Sequence, residues 1–111
     1  MRFITYKDYR GNERVRYRFD QEEPLAEGLT YGIVFNGRTG KFPRPAVFTE
    51  KDELLGYVRE IKYGWRKGMW GVVTQRVGPN YSRSAHGEAF FHDRERAIQF
   101  LKIAAPEVYR P

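Results

Sequence analysis

Three arginines stand at alternate positions in RVRYRFD, residues 14–20: Arg14, Arg16 and Arg18. On an extended strand this spacing puts three guanidinium groups on one face. Planar guanidinium forks suit phosphate and carboxylate oxygens. A second set of chemistry-bearing residues is His86, Glu88 and His92, the two histidines of the chain with a carboxylate between them. On an extended segment they share a face, and two imidazoles with a carboxylate are a donor set for a transition metal. His86-x-Glu88 is also half of a zinc-deaminase signature, but the cysteine pair that completes it is missing. The chain has no cysteine at all, which excludes disulfides, thiolate metal sites and cysteine nucleophiles. Ser82 and Ser84 lie too close to His86 in sequence to specify a triad. The reading adopted is that His92 caps a helix and His86 is a loop residue, with no catalytic residue, metal or cofactor.

GRTGKF (37–42) does not make a phosphate loop. That motif needs Gly at 35 and Ser or Thr at 42, where Phe35 and Phe42 stand. The wider stretch YGIVFNGRTGKF resembles the start of the hybrid-binding domain found at the N-terminus of some ribonucleases H. A Tyr-led strand there runs into Gly-Arg and then Gly before an aromatic, as Tyr31, Gly37–Arg38, Gly40 and Phe42 do here. The likeness covers about a dozen residues and implies nucleic acid as ligand. The spacing between the glycines differs and the following segment diverges, so no individual role is carried over.

The charge balance points the same way. Net charge is +6 and the sequence pI is about 9.7, with 20 basic residues, mostly Arg. There is no acidic side chain from Tyr31 to Thr49 or from Ile61 to Gly87. The cations of these stretches, with those of the N-terminal segment, form the candidate binding set: Lys7, Arg14, Arg16, Arg18; Arg38, Lys41, Arg44; Arg66, Lys67; Arg76, Arg83. Tyr9, Phe42, Tyr63, Trp65 and Tyr81 interleave with them. Arg with aromatic rings suits nucleic acid, whose phosphates pair with the cations and whose bases stack. Tyr9 and Tyr81 complete the set with the cations. Tyr63 and Trp65 are expected to pack beneath a preceding helix, and Tyr31 and Trp70 to be core.

These residues need a scaffold. With 111 residues the chain is expected to make a single α+β domain, 1–111. RGNE (10–13) carries a two-residue turn signal, predicting a hairpin over 2–20 with Gly11–Asn12 as its loop. That register pairs Tyr9 with Arg14, Lys7 with Arg16, Tyr6 with Tyr17 and Ile4 with Phe19. It sorts Ile4, Tyr6, Val15, Tyr17 and Phe19 onto one face and all three arginines onto the other.

An internal similarity organises the rest. VFTEKDELLGYVREI (47–61) aligns without a gap to FFHDRERAIQFLKIA (90–104). Leu54, Leu55, Val58 and Ile61 match Ala97, Ile98, Leu101 and Ala104, the stripe of a helix. Thr49 and His92–Asp93 offer caps, and Pro106 is expected to close the second helix. YGIVFN (31–36) matches WGVVTQ (70–75) ahead of each helix. The spacing thus predicts two ββα units, 30–62 and 69–104, with both helices packed on one face of an antiparallel sheet. The basic surface would then be the hairpin with the 37–45 and 76–86 loops.

The function expected is a non-enzymatic binding module for nucleic-acid phosphates, single-stranded or duplex. The alternative is a protein-interaction module or inhibitor, of the kind phages and mobile elements encode, docking on an acidic surface of a nucleic-acid-handling machine. No apolar leader or membrane span is seen in the sequence, so a cytoplasmic protein is expected, as a monomer or an edge-strand homodimer.

Overall fold

The computed structural model describes residues 1–38, 40, 42–77 and 83–109; for 76–77 and 83–87 only the strand path is described. Seven strands run in order: β1 (Arg2–Lys7), β2 (Glu13–Ala26), β3 (Leu29–Asn36), β4 (Arg44–Thr49), β5 (Leu54–Glu60), β6 (Trp70–Val77) and β7 (Arg83–Phe91). One helix, α1 (Arg94–Val108), follows. The strands form a single antiparallel sheet in sequence order, each paired with the next.

The two predicted ββα units are therefore not present: 49–61 is not a helix. Thr49 does cap, but it caps a turn. Its N–H donates to the Glu53 carbonyl at 2.9 Å, its carbonyl accepts from Asp52 N–H at 3.0 Å, and Asp52 takes φ 60°. The chain reverses there and returns as β5. Leu54, Leu55 and Val58 fit helical spacing, but they equally fit a bulged strand buried on both faces. Periodicity does not separate those two over so short a run. Gly56 and β-branched Val58 tip the balance toward the strand.

The second helix is real. Asp93, rather than His92, is its N-cap, accepting from Glu95 N–H at 3.0 Å. The helix runs through Pro106 to Val108 instead of closing there. It buries Ala97, Ile98, Leu101 and Ala105 against β4–β7. With Leu29, Tyr31, Val47, Leu55, Val58 and Val72 these make one core on the helix face. Each fully buried aliphatic contributes about 1.5–3 kcal/mol over leaving it exposed.

A second core lies on the opposite face, where there is no helix. Ile4, Phe19, Val34, Ala46 and Phe48 fill it, flanked by Tyr17, Leu54 and Tyr57. Here the sheet covers itself. Arg2 on β1 pairs with Glu22 at 2.6 Å and also reaches Asp52, in the turn beyond β4. The first four strands must curl over this face for that contact to form. Gly32 on β3 permits the packing: an added Cβ would stand 2.6 Å from the Phe19 ring and 2.7 Å from the Asp20 carbonyl oxygen.

The hairpin register also differs from the one expected. Asp8 accepts from the Arg10 and Asn12 N–H groups, both at 2.9 Å, and its own N–H donates to the Asn12 carbonyl. This widens the loop to 8–12. Lys7 then pairs with Glu13, Tyr6 with Arg14, Ile4 with Tyr17 and Arg2 with Phe19, with a bulge between Ile4 and Thr5. Arg16 is the extra residue at that bulge.

Candidate functional site

In an antiparallel meander, alternate connections fall at the same end of the sheet. The β1–β2 turn, the β3–β4 loop, the β5–β6 loop and the junction of β7 with α1 therefore share one end. That end carries Lys7, Arg14, Arg16, Arg38, Arg44, Arg66 and Lys67 of the expected set. It also carries four cations outside that set: Arg10, Arg59, Lys62 and Arg94. The other end holds the β2–β3 turn with Glu27, the β4–β5 turn with Glu50, Asp52 and Glu53, and the helix C-terminus with Glu107. The first end is thus the richer in cations, with Asp8, Glu13, Glu60, Asp93 and Glu95 among them, and the second the richer in acids, with Arg2 and Lys51 among them.

The expected convergence is only partly met. Arg76 and Arg83 lie on β6 and β7 beside the connection at the opposite end, Arg76 facing Ser84 and Arg83 facing Val77 in register. Lys41 and Tyr81 lie outside the described residues, and the side chain of His86 does too. Nor do the three arginines of β2 make one row. Arg14 pairs with Asp8 at 3.1 Å. Arg16, turned by the bulge, lies 4.6 Å from the Tyr6 ring centroid. Arg18 is half-buried, 4.0 Å from the Phe35 ring and 3.5 Å from Asp20. Phe35 lies in line with Tyr31 on the helix face of β3, so Arg18 points away from the rest.

At the cationic end the β4–β5 ladder stops early. Its pairs are Ala46–Tyr57, Val47–Gly56 and Phe48–Leu54. Pro45, which has no N–H to give, stands where it ends. Beyond it the strands frame a groove of about 570 Å³, with Phe42, Arg44, Arg59, Lys62, Trp70 and Arg94 on its walls. Arg44 lies 5.4 Å from the Tyr57 ring and Arg94 lies 5.8 Å from the Trp70 ring. Three of these cations have acidic partners: Lys62 meets Glu60 at 3.0 Å, Arg59 meets Glu88 at 2.7 Å and Arg94 meets Glu95 at 3.8 Å. Among the described residues, Lys7, Arg16, Arg38, Arg44, Arg66 and Lys67 have no ion pair.

Exposed rings gather at the same end. Tyr9, Phe42, Tyr63 and Trp65 are 71–89 % exposed. Tyr63 and Trp65 do not pack under a helix, because no helix precedes them. They sit on a tight loop instead. Lys67 N–H donates to the Gly64 carbonyl at 3.2 Å, Met69 N–H to the Arg66 carbonyl at 2.9 Å, and Gly64 and Gly68 take φ of 81° and 89°. Tyr31 is buried and Trp70 packs against the helix-side core, as expected for core residues.

The metal-ligand reading loses its carboxylate: Glu88 is engaged by both Nε and Nη2 of Arg59, at 2.7 and 2.9 Å. His92 is exposed, just before the helix cap. No group of three potential ligands that could hold a metal lies together among the described residues. No helix among them is long and apolar enough to cross a membrane.

No family model matches this chain, and no curated protein or solved structure matches it.

Proposed function

We propose that the protein is a binding module that holds the phosphate backbone of a nucleic acid against the cationic end of its sheet. The observation that carries this is the segregation of charge along the strands. Three loops and the start of α1 bring cations to one end, several of them without an acidic partner, and exposed rings stand among them. A surface made only for solubility has no need to sort its charges this way, since mixed signs serve as well. A cluster of exposed cations is costly by mutual repulsion, and a polyanion removes that cost while releasing its own counterions. Lys7, Arg16, Arg38, Arg44, Arg66 and Lys67 are the residues proposed to meet phosphates. Arg18, Arg76 and Arg83 are not part of this surface.

The test is binding of a labelled polynucleotide across a salt series. Affinity should fall by roughly 0.7–0.9 log units per log unit of salt for each phosphate neutralised. Changing Arg16, Arg38, Arg44 and Lys67 together to Gln should lower that slope by about 3. Changing Lys51, at the acidic end, to Gln should leave it unaltered. An unchanged slope in the fourfold variant would remove the proposal. Binding of poly-glutamate with no binding of any polynucleotide would assign the surface to an acidic protein instead.

A further inference from the structure

The geometry points to single-stranded nucleic acid as the ligand, with a base stacked on Trp65. This rests on the phosphate-binding role of the cationic end and adds the strand state. The Arg66 guanidinium lies 3.8 Å from the Phe90 ring and 4.1 Å from the Trp65 ring. Phe90 belongs to β7 and is half-buried, so the sheet anchors the arginine, and the arginine in turn backs the indole. Trp65 is nevertheless 83 % exposed. One side of its ring meets a planar cation and the rest faces water.

Such an arrangement is poorly explained by stability. A large ring at the tip of a hydrogen-bonded turn contributes little to a core, and its exposed apolar face is unfavourable in water. The loop bonds from Gly64 to Lys67 and from Arg66 to Met69 hold it in place before any ligand arrives. Little ordering is left to be done on binding. A flat, apolar, sequence-neutral partner for that ring is a nucleobase.

A duplex hides the faces of its bases within the stack, so it cannot use the ring without being opened. A single strand presents them freely. The groove beside the loop suits the same ligand. Its cations can follow a backbone, and Phe42, 71 % exposed on its other wall, gives a second ring to a neighbouring base. Lys67, next to the turn, and Arg44, across the groove, provide charge on both sides of such a path.

Anisotropy titrations at one salt concentration decide it, using oligothymidylate of about fifteen nucleotides and a duplex of matching length. The wild-type chain should bind the single strand at least about tenfold more tightly than the duplex. Trp65→Ala should weaken the single strand about 5- to 100-fold, leave the duplex within about twofold, and leave the far-ultraviolet circular dichroism unchanged. Trp65→Phe should keep most of the single-strand affinity. If the two probes bind alike and Trp65→Ala weakens neither, this inference is overturned while the phosphate-binding role stands. If neither probe binds, both fall together.

Discussion

The Arg59 guanidinium forks onto the Glu88 carboxylate across the whole width of β6, with contacts at 2.7 and 2.9 Å. Gly71 makes this possible. It stands between Arg59 and Phe90 in register, and an added Cβ there would collide with the Glu88 carboxylate. Glu88 in turn holds the guanidinium above its ordinary pKa. Gly71→Ala should therefore displace the fork and cost about 1 kcal/mol. Urea unfolding checks this. In the Glu88→Ala background the same glycine change should cost clearly less, because the obstacle is already gone. Equal losses in both backgrounds would contradict the arrangement.

Gly32 should be the more sensitive glycine. The atoms in its way are the fully buried Phe19 ring and a backbone carbonyl, neither of which can swing into solvent. Phe19 also lies against Phe48, at 4.8 Å between centroids. Gly32→Ala is expected to cost about 3 kcal/mol, several times the loss at Gly71. A smaller effect than at Gly71 in the same urea assay would mean that the sheet does not close on Phe19.

The hairpin tip should be sensitive to acid. Partial desolvation would raise the Asp8 carboxyl, but the Asn12 N–H, the Arg14 guanidinium and the Arg10 N–H outweigh it and hold the group below its ordinary 3.8. A depressed carboxyl contributes its full stabilisation above the unfolded value and loses it as the pH falls through the folded one. The tip should thus stay ordered above pH 3.8 and loosen only below it. Amide resonances of Arg10 and Asn12 followed by NMR would report this. Movement centred above 3.8 would show that Asp8 does not make these bonds.

Tyr31 should act at the other extreme. Burial raises its phenol above 10.0, although Lys102 and Arg94 pull it down. A raised group contributes full stability below its unfolded value, lost as the pH rises through the folded one. Absorbance at alkaline pH should therefore show one of the eight tyrosines ionising after the others or together with unfolding. Tyr31→Phe should flatten the alkaline limb of the stability profile. If that limb is unchanged, Tyr31 is not buried between β3 and the helix.

Lys102 is the local pivot of that region. Its ammonium lies 4.2 Å from the Tyr31 ring and 2.6 Å from Glu23 on β2. Glu23 raises its pKa, and the pair ties the helix to a strand that α1 does not cover. Neither contact has a sequence signal: 79 positions separate Lys102 from Glu23, and Tyr31 is likewise far from it along the chain.

What could be read along the chain was what short-range chemistry controls. The Asp93 region capped a helix, the stripe at 97, 98 and 101 buried it, and 31–36 and 70–75 became strands. The hairpin was legible as an element, but its register was not. A carboxylate at position 8 competed for the turn amides, lengthened the loop and forced a bulge at Arg16. The clustering of rings with cations was visible in the sequence. The exposure of Trp65 was not, because it followed from an error one element earlier: a helix expected over 49–61 would have covered it.

That one segment shows where local information stops. Composition and spacing alone established a basic, aromatic-rich, cysteine-free chain with acid-free stretches at 31–49 and 61–87, but the two-helix architecture they suggested is not the one the chain forms. Which turns meet was decided by the tertiary structure. Turning 54–60 from helix into strand changes how many times the chain crosses the sheet. Each crossing sends the next connection to the opposite end, so the ends of β3 and β5 fall together, beside the starts of β4 and β6. Cap and turn preferences act over three or four residues. Strand number and register depend on burying Phe19, Phe48 and Leu55 from both sides of one sheet, a condition that only the folded chain as a whole can satisfy.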